Sequence, residues 1–299
     1  MKILLTGATG QLGKSVINSK PKNIELLIAD REKLDFLNPK NCERVIISEK
    51  PDWVINCAAY TNVDKAENDI ELSNIVNGLA PEALAKAISH IKGNLLHIST
   101  DFVFDGKQNY AYGTKQKRNP INQYGFSKSL GEKLIEKNII NNARATILRT
   151  SWLIGPIGKN FVTVMLKLHA EKDQIYVVSD QIGAPTFTKD LASICWDIIN
   201  LQKSEESTQI LHWSDSGVAS WYDLAEAIGE IGLELGILKK RAAVVPIKTK
   251  QYPSPARRPR YSLLDTQKTA ELIGRIPIHW RKNLRNLLIE YKKLELSKS

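Results

Sequence analysis

Cysteine is scarce in this sequence. Its three cysteines, Cys42, Cys57 and Cys195, are odd in number, far apart and outside any C-x-x-C spacing. A disulfide framework needs cysteines that can pair, and a structural zinc site needs closely spaced Cys or His ligands. The sequence argues against both, so we expect these thiols to pack in the interior. The five histidines show no H-x-x-x-H or similar spacing, and no metal ligand is assigned.

Long hydrophobic runs are missing as well. No apolar stretch approaches the ~20 residues that a helix needs to cross a bilayer. The first apolar run, KILLT at 2–6, is too short for the core of a signal peptide. We therefore expect a cytoplasmic protein that has no membrane partner.

Acidic residues are outnumbered by basic ones. There are 32 Asp and Glu against 42 Lys and Arg, which gives a net charge of +10. Such a surplus suggests a polyanionic partner. The sign of the net charge alone does not decide whether this partner is a nucleic acid, a membrane surface or a phosphorylated small molecule. Late basic clusters such as LKKR (238–241) and ARRPR (256–260) lack the interleaved aromatics of a single-strand-binding surface. We therefore expect no nucleic acid, and a solvated basic face explains much of the surplus.

The first half of the chain alternates short apolar strands with helices. The strand-like runs are nearly apolar throughout, which is typical of strands that are covered on both faces. They lie at 2–6, 25–30, 52–59, 94–100 and 144–150. Helices are predicted near 11–19, 39–49, 72–91 (with Pro81 at or near a turn) and 123–141. This alternation predicts an α/β fold with a doubly wound, Rossmann-like parallel sheet.

The pattern loosens after Arg149 into Gly- and Pro-containing loops, with helices near 159–171, 187–202 and 220–235. A length of 299 residues favours about two domains. We predict a dinucleotide-binding domain at 1–151 with a return segment near 187–215. A smaller α/β substrate-binding lobe would then be formed by 152–186 and 216–299.

A glycine-rich loop follows the first predicted strand. TGATGQLG (6–13) places three glycines, spaced G-x-x-G-x-x-G, just before the first helix. Glycine permits a tight turn and the close approach of a pyrophosphate, which the amides at a helix N-terminus attract. The cofactor-binding residues predicted here are Gly7, Thr9, Gly10, Gln11, Leu12 and Gly13.

The end of the second predicted strand carries charged residues that bear on cofactor choice. Asp30 lies at roughly the ~20-residue offset at which an acid takes the ribose hydroxyls, which favours NAD. Arg31 follows it, and an arginine that reaches a 2′-phosphate favours NADP. Together, Asp30 and Arg31 leave the choice between NADPH and NADH open. Asp35 and Phe36 are predicted to flank the adenine, with a loop acid and a buried ring as the structural alternatives.

Two further strand ends offer ligand contacts. Small residues follow the third strand, where the backbone can pass close to a cofactor, and we assign Ala58, Ala59 and Tyr60 there. The fourth strand ends in STDFVFDG (99–106), at the edge where ligands of open α/β sheets bind. A hydroxyl of this stretch, such as that of Thr100, could hold a substrate oxygen.

The stretch NQYGFSKSLGE (122–132) places Tyr124 and Lys128 one helical turn apart. A phenol titrates near pH ~10 and is a slow acid unless its anion is stabilised. A neighbouring lysine could supply that stabilisation. The alternative is a tyrosine that packs on the core beside a solvated lysine.

Six motifs follow one another along the chain: TGATGQLG (6–13), AAYTNVDKAE (58–67), STDFVFDG (99–106), YGFSK (124–128), SDQIGAPT (179–186) and RRPRYSLLD (257–265). In this order they resemble the extended short-chain dehydrogenase/reductases, and within them the rhamnose-reductase group. The match runs from residue 1 to about 290. STDFVFDG and the last two motifs carry the resemblance to the group, whereas the glycine loop and the Tyr-x-x-x-Lys pattern mark only the superfamily.

This resemblance implies a catalytic triad of Thr100, Tyr124 and Lys128, in which Tyr124 and Lys128 also contact the cofactor. The implied reaction is the NAD(P)H-dependent reduction of the C4 ketone of dTDP-4-dehydro-β-L-rhamnose to dTDP-L-rhamnose, a precursor of surface polysaccharide. The implied partner is thus a nucleotide-diphosphate sugar. The substrate contacts implied or predicted are Thr100, Asp101, Phe102, Trp152, Asn160 and Arg258.

Several points stay open at this stage. Some relatives form a magnesium-bridged dimer through an acid shortly after the glycine loop, where this chain has Ser15. A hydroxyl is a poor replacement for a carboxylate on Mg²⁺, so we expect a monomer or a weak homodimer. Two rival functions are another nucleotide-sugar reductase or epimerase, and a non-catalytic subunit like the regulatory subunit of methionine adenosyltransferase.

Overall fold

A computed structural model describes residues 1–201 and 207–296 of the chain. The strands are β1 (Lys2–Thr6), β2 (Glu25–Ile28), β3 (Trp53–Asn56), β4 (Asn94–Thr100), β5 (Arg144–Thr150), β6 (Leu153–Ile154), β7 (Gln174–Val178), β8 (Ile182–Gly183), β9 (Thr186–Phe187), β10 (Thr208–His212), β11 (Ala219–Ser220) and β12 (Ala243–Ile247). The α-helices are α1 (Gln11–Asn18), α2 (Pro39–Glu49), α3 (Val63–Ala66), α4 (Ile70–Asn74), α5 (Ala80–Ile91), α6 (Gln123–Asn138), α7 (Phe161–Glu171), α8 (Thr188–Asn200), α9 (Trp221–Glu234), α10 (Gln267–Ile273) and α11 (Trp280–Leu296).

A six-stranded sheet with the order β10-β5-β4-β3-β1-β2 organises the fold. Each neighbouring pair of its strands is parallel. The chain starts at β1 inside the sheet, moves outward to β2 and then returns past β1 to β3. This reversal of direction makes the sheet doubly wound and opens a crevice at the carboxyl ends of the strands. The predicted Rossmann-like fold is confirmed.

Both faces of the sheet are buried by helices. Leu4, Val54 and Leu95 lie in one apolar core with residues of α2, α5 and α6. Ile55 and Leu96, one position further along their strands, lie in a second core with residues of α1 and α8. Because successive strand residues point to opposite faces, a run that is apolar at every position covers both. Each buried aliphatic side chain contributes about 1.5–3 kcal/mol to folding.

A third apolar core lies outside the large sheet. It contains residues of α7, α9 and α11, together with the parallel pair β7 and β12. Two further small pairs are the parallel β6 and β9 and the antiparallel β8 and β11. Between these elements the chain returns to the large sheet, since α8 packs with α1 and β10 pairs with β5.

The element bounds differ from the predicted ones in a few places. β2 ends at Ile28 and β3 at Asn56, each earlier than predicted, because the following residues turn away at the carboxyl edge. The helical run predicted at 72–91 begins at Ile70, and Pro81 lies inside this run rather than at a turn. A π-helical segment at Ile75–Leu79 precedes it and places Pro81 in the first turn of α5. A proline inside a helical run loses one backbone hydrogen bond and crowds the preceding turn, and the wider π-helical turn directly before it relieves that crowding.

None of the helices within residues 1–201 and 207–296 is both long enough and apolar enough to span a membrane.

Candidate active site

The glycine-rich loop joins β1 to α1 at the carboxyl edge of the sheet. Gly7 has a φ of +66°, and a Cβ at this position would lie 2.6 Å from the Ala58 nitrogen. A Cβ on Gly13 would lie 2.2 Å from the Gly7 carbonyl oxygen. Gly10 precedes α1 and provides no side-chain cap for its first amides. A pyrophosphate fits this arrangement, because close backbone approach and uncapped N–H groups of a helix N-terminus occur together.

The side chains of the remaining loop residues differ in their exposure to solvent. Thr9 is exposed on the loop, whereas the Leu12 side chain is 4% exposed and packs in the core, which leaves only its backbone for a ligand. The Gln11 side chain instead reaches the segment between β6 and α7. Its Oε1 accepts hydrogen bonds from the Gly155 N–H at 2.8 Å and from Asn160 Nδ2 at 2.9 Å.

Asn160 connects the loop to α7. Its Oδ1 accepts from the Thr163 N–H at 3.1 Å and caps the helix, and its Nδ2 donates to Gln11 and to the Gly155 carbonyl. The polar atoms of this side chain therefore have partners within the chain. A direct contact of Asn160 with a nucleotide-sugar stays a prediction.

The residues predicted to bind the adenosine lie beyond β2. Asp30 and Arg31 are both exposed, and the Asp30 carboxylate accepts from the Lys33 N–H at 2.8 Å. Asp35 accepts from the Leu37 N–H at 2.9 Å. Phe36 is half-buried against the core formed with α2 and α5. Both acids thus shape turns, and the open surface around Asp30 and Arg31 favours neither nicotinamide cofactor.

The backbone after β3 lies against the glycine loop. Ala58, Ala59 and Tyr60 are half-buried, and the Ala58 N–H points back to Asn56 Oδ1 at 3.2 Å. The Tyr60 hydroxyl donates to Asp69 at 2.7 Å, and this hydrogen bond raises the pKa of Tyr60 to about 12. The small side chains therefore border the predicted cofactor crevice, while the Tyr60 hydroxyl is already engaged.

Tyr124 lies in the first turn of α6, which is capped by the Asn122 side chain through the Gly125 N–H at 2.8 Å. A Cβ on Gly125 would lie 2.2 Å from the Phe102 carbonyl oxygen, so glycine allows α6 to approach the end of β4. As a result, the Phe102 ring packs edge-on against Tyr124 at 5.7 Å. The local sequence thus brings the tyrosine to the stretch that the resemblance marked for substrate.

Thr100 and Asp101 surround the Tyr124 phenol. Burial raises the pKa of Tyr124 to about 12, a hydrogen bond with Thr100 lowers it, and the Asp101 charge raises it further. Asp101 is 2% exposed, and its Oδ1 accepts from the Thr100 hydroxyl at 3.1 Å while its buried Oδ2 has no partner. Burial raises the pKa of Asp101 to about 6, with Ser262 and Thr100 acting against this. The structure therefore brings together Thr100, Asp101, Phe102 and Tyr124.

Lys128 lies one turn beyond Tyr124 and is 2% exposed. Its ammonium nitrogen lies 2.7 Å from the Ile98 carbonyl oxygen and 3.2 Å from His97 Nε2. Burial lowers the pKa of Lys128 to about 8, against the effect of the Glu132 carboxylate. A solvated surface lysine is therefore excluded for this position.

A buried ion network beneath this site was missed in the sequence. Glu132 is fully buried and accepts two hydrogen bonds from Arg149, at 2.9 and 2.7 Å. Ser99 and Arg118 also donate to it, at 2.5 and 3.0 Å. These contacts hold the pKa of Glu132 below its usual value despite burial. The available signal was an arginine inside an apolar strand, which needs a buried partner.

Trp152 packs against the core formed by α7, α9 and α11 and has a φ of +45°. Its ring stacks on Trp221 with the centroids 3.8 Å apart, and Trp221 donates to the Gln181 side chain at 3.2 Å. Gly183 lies against the same ring, since a Cβ there would approach Trp152 to 3.0 Å. One face of Trp152 is thus covered by protein, and stacking on a nucleotide base stays a prediction.

Arg258 lies on a segment that docks against the residues after β3. Its guanidinium pairs with Asp64 at 2.8 Å, and the Asp64 carboxylate also accepts from the Ser254 hydroxyl at 2.9 Å. This pairing lowers the pKa of Asp64. Arg260 is largely exposed and lies 3.8 Å from Asp180. Arg258, which is predicted to bind the diphosphate, is therefore oriented by the Asp64 carboxylate of α3.

Ser15 stands where a metal-binding acid was considered. Its hydroxyl donates to the Thr188 hydroxyl at 2.8 Å and so joins α1 to α8. Within the parts of the chain that the structure describes, no group of three or more His, Cys, Asp or Glu residues could hold a metal ion.

The parallel sheet, the glycine loop at its carboxyl edge and the Tyr124–Lys128 pair on α6 define an extended short-chain dehydrogenase/reductase, a nicotinamide-dependent oxidoreductase. The family model described as RmlD substrate binding domain matches residues 1–293. dTDP-4-dehydrorhamnose reductase from Aggregatibacter actinomycetemcomitans is 37% identical over 290 residues, with 96% of this chain and 98% of the relative covered. The chain belongs to the dTDP-4-dehydrorhamnose reductase family, which confirms the resemblance drawn from the motifs.

Two further similarities extend over nearly the whole chain. The spore coat polysaccharide biosynthesis protein SpsK of Bacillus subtilis is 38% identical over 291 residues, with 97% of each chain covered. The crystal structure of dTDP-4-dehydrorhamnose reductase from Bacillus anthracis in complex with NADP has a TM-score of 0.87 and 32% identity, with 97% of this chain and 99% of that chain covered.

Proposed function

We propose that this protein reduces the C4 ketone of dTDP-4-dehydro-β-L-rhamnose to dTDP-L-rhamnose, using NADPH or NADH. The observation that carries the proposal is the grouping of Thr100, Tyr124 and Lys128 at the carboxyl edge of the sheet, beside the glycine loop. The names of the similar reductases supply the substrate. The product would serve the synthesis of surface polysaccharide, which the name of the Bacillus subtilis relative also supports.

The proposed chemistry assigns one task to each group. The reduced nicotinamide, when bound, supplies the hydride for the ketone carbon. Tyr124 donates its phenolic proton to the ketone oxygen as general acid, a transfer typically worth roughly 10²–10⁴-fold in rate. Thr100 orients that oxygen, and the effect of its hydroxyl in lowering the pKa of Tyr124 supports this role. Lys128 stabilises the phenolate and contacts the nicotinamide ribose.

The proposed ligand contacts follow the two lobes. The cofactor would be held by the glycine-rich loop, by the stretch after β3 and by residues beyond β2. These are Gly7, Thr9, Gly10, Gln11, Leu12 and Gly13, then Ala58–Tyr60, and then Asp30, Arg31, Asp35 and Phe36. Asp101, Phe102, Trp152, Asn160 and Arg258 would hold the nucleotide-sugar. Arg258 suits the diphosphate, because a guanidinium meets phosphate oxygens through a bidentate fork. Residues 1–151 with 187–215 would form the cofactor domain, and the remainder the substrate lobe.

The first experiment is an activity assay on the purified chain with dTDP-4-dehydro-β-L-rhamnose. NADPH and then NADH are supplied, and their oxidation is followed by absorbance while chromatography identifies the product. We expect one equivalent of dTDP-L-rhamnose for each NAD(P)H consumed. Interconversion of sugars without net cofactor consumption would indicate an epimerase. Cofactor binding without turnover of this or other nucleotide-sugars would favour the regulatory-subunit alternative.

A variant tests the proton donor in the same assay. Tyr124→Phe should lower kcat by about 10²–10⁴-fold because the acid is lost while the ring packing on Phe102 is kept. Tyr110→Phe removes a hydroxyl from a ring that is 62% exposed and serves as the matched control. Unchanged turnover by a folded Tyr124→Phe protein would assign the proton donor elsewhere. Sedimentation of the same sample would test the proposed monomer or weak homodimer.

A further inference from the structure

A row of buried polar side chains crosses the sheet beneath the glycine loop. Strand register makes Thr6 of β1 the partner of Asn56 on β3, and Asn56 the partner of His97 on β4. The three residues are at most 1% exposed. The Thr6 hydroxyl lies 2.7 Å from Asn56 Oδ1, and Asn56 Nδ2 lies 2.9 Å from His97 Nδ1. His97 Nε2 then lies 3.2 Å from the Lys128 nitrogen, so the row ends at a proposed catalytic residue.

The hydrogen bonds of Asn56 determine which way its amide points. The Ala58 backbone N–H lies 3.2 Å from Asn56 Oδ1 and can only donate, so the amide atom that faces it is the oxygen. The amide nitrogen therefore faces His97 and donates to Nδ1. A neutral imidazole that accepts at Nδ1 carries its proton on Nε2. Burial, reinforced by the Lys128 charge, holds the pKa of His97 well below its usual value, so the ring is neutral.

The Nε2–H of His97 consequently points at Lys128. An ammonium group has three donors and no acceptor, so its N–H groups and the imidazole N–H repel each other. A neutral amine has a lone pair that can accept the imidazole N–H, and it can still donate to the Ile98 carbonyl oxygen. The ring therefore favours the neutral form of the lysine.

The other groups that face Lys128 come from its own helix and from the segment after β3. Glu132, one turn further along α6, favours the ammonium form. Burial raises the pKa of the Cys57 thiol to about 12, so this thiol is neutral at physiological pH. Tyr124 lies one turn earlier, and its phenol is neutral for the same reason. His97 is thus the group on the sheet side that opposes Glu132.

We propose that His97 is a positioning residue for Lys128, held by Thr6 and Asn56 in the Nε2–H tautomer so that it stabilises the neutral amine that forms during each turnover. The proposal rests on the reductase function above. Tyr124 passes its proton to the ketone oxygen, and the Lys128 ammonium returns a proton to the phenolate. The resulting amine accepts the His97 N–H hydrogen bond until solvent supplies the next proton.

The tautomer can be tested without any enzyme activity. In protein labelled with ¹⁵N-histidine, long-range ¹H–¹⁵N correlations distinguish a proton on Nδ1 from one on Nε2, and His97→Asn identifies the signal. We expect His97 to carry its proton on Nε2 alone at neutral pH. A proton on Nδ1, or on both nitrogens, would overturn the proposal.

The effect on Lys128 is tested by its titration. In ¹³C-lysine protein, with Lys128→Met to identify the signal, His97→Asn should raise the pH midpoint of Lys128 by roughly one unit. Asparagine keeps an acceptor for Asn56 but removes the N–H that faces the lysine. His90→Asn, at an exposed position of α5, is the control and should leave the midpoint unchanged. An unshifted midpoint in folded His97→Asn protein would refute the proposal.

Kinetics add a readout that separates the two proposals. In His97→Asn, the alkaline limb of the pH profile of kcat/KM should shift to higher pH together with the Lys128 midpoint. The KM for the sugar nucleotide should stay close to the wild-type value. If the Nε2–H tautomer and the Lys128 shift are both found but no reduction occurs, the proposed function fails and the His97–Lys128 coupling stands. If reduction occurs and the limb does not move, the coupling has no role in the reaction and the proposal is wrong.

Discussion

Tyr124 and Lys128 lie on one face of α6, and burial moves their pKa values in opposite directions. The pKa of the phenol rises to about 12, while that of the amine falls to about 8. Burial disfavours the charged form in both cases, which raises the pKa of an acid and lowers that of a cation. Burial therefore holds the proton on the Tyr124 phenol more tightly and the proton on the Lys128 ammonium less tightly, so the neutral amine is accessible near physiological pH.

A single methyl group should be enough to damage the cofactor site. In Gly13→Ala the new Cβ would meet the Gly7 carbonyl oxygen at 2.2 Å, so the loop must shift. We expect NADPH binding, measured by fluorescence titration, to weaken at least ~10-fold, and stability to fall by about 1–3 kcal/mol. Gly113→Ala is the control, because the nearest atom to its Cβ would be 4.0 Å away. Equal NADPH affinities for the two variants would argue against pyrophosphate binding at this loop.

At the residue scale, the sequence predicted which side chains carry the chemistry better than it predicted which side chains contact one another. The end of the fourth strand predicted Thr100 at the carboxyl edge of the sheet, and helical spacing predicted Tyr124 and Lys128 on one helix face, because both signals are local. Their grouping in one site was implied by the family resemblance. The contact of Lys128 with His97 could not be predicted, since it depends on the register between β3, β4 and α6. That register is set by packing between residues distant in sequence.

At the scale of elements, α6 is the helix that holds the site together. Gly125 lets its start approach the Phe102 backbone, and Gly131 does the same further along, where a Cβ would lie 2.1 Å from the Asn77 oxygen. Glu132 then anchors the middle of the helix to Arg149 on β5. Tyr124 and Lys128 are therefore carried by a helix whose position is determined at several points along its length.

Loss of the Glu132 charge should destabilise the fold strongly. Glu132→Gln leaves the Arg149 guanidinium, 1% exposed, without its counter-ion, and removal of one partner of a buried pair typically costs about 3–5 kcal/mol. Chemical denaturation at neutral pH measures this loss. Glu136→Gln on the same helix removes a half-buried partner of Arg118 and should cost about 1 kcal/mol or less.

The same carboxylate predicts an acid sensitivity. The pKa of Glu132 is lower in the folded chain than its usual value, so its stabilising contribution is complete above the unfolded pKa of ~4.3. That contribution is lost as the pH falls through the folded pKa. The stability gap between wild type and Glu132→Gln should therefore narrow in acid. A gap that stays constant down to pH ~3 would contradict the assigned ion pair.

The predicted elements were most accurate where local signals were strong. β1, β4, β5 and α2 have the predicted bounds, because apolar runs and the Asn38 cap with Pro39 mark them clearly. Pro81 misled the prediction, since the π-helical segment before it depends on how α6 packs there. Helix packing of this kind leaves no local pattern in the sequence.

At the scale of the whole molecule, the large sheet and the core formed by α7, α9 and α11 share contacts that sequence spacing does not reveal. The chain crosses between the large sheet and the smaller core near Pro185, whose carbonyl accepts from the Asp215 N–H. The Asp215 side chain is 2% exposed, accepts from Asn283 of α11 at 2.7 Å and has a second oxygen without a partner. Burial raises its pKa to about 8. The junction therefore contains a carboxyl group that is protonated at neutral pH.

This carboxyl group predicts how stability changes with pH. Between pH ~4 and about 8 the unfolded Asp215 is ionised while the folded one keeps its proton, so the group lowers stability as the pH rises. Asp215→Asn removes this effect. We expect the variant to be more stable than wild type at pH ~8 by at least about 1 kcal/mol, and the difference to vanish near pH ~4.

Denaturation curves across this pH range provide the measurement. Asp173→Asn is the control, because Asp173 is exposed and pairs with the exposed Lys240, so its effect should stay small at every pH. A pH-independent difference between wild type and Asp215→Asn would assign the effect to packing instead of ionisation.

The contact of Gln11 with Gly155 and Asn160 has a kinetic consequence. Gln11, the first residue of α1 beneath the proposed pyrophosphate site, also supports the start of α7. A cofactor bound at this loop would stabilise the start of α7, next to the proposed sugar-nucleotide site. We therefore expect an ordered sequential mechanism, in which the reduced nicotinamide cofactor binds first and the oxidised cofactor dissociates last. Product-inhibition patterns would then be competitive only between the two forms of the nicotinamide.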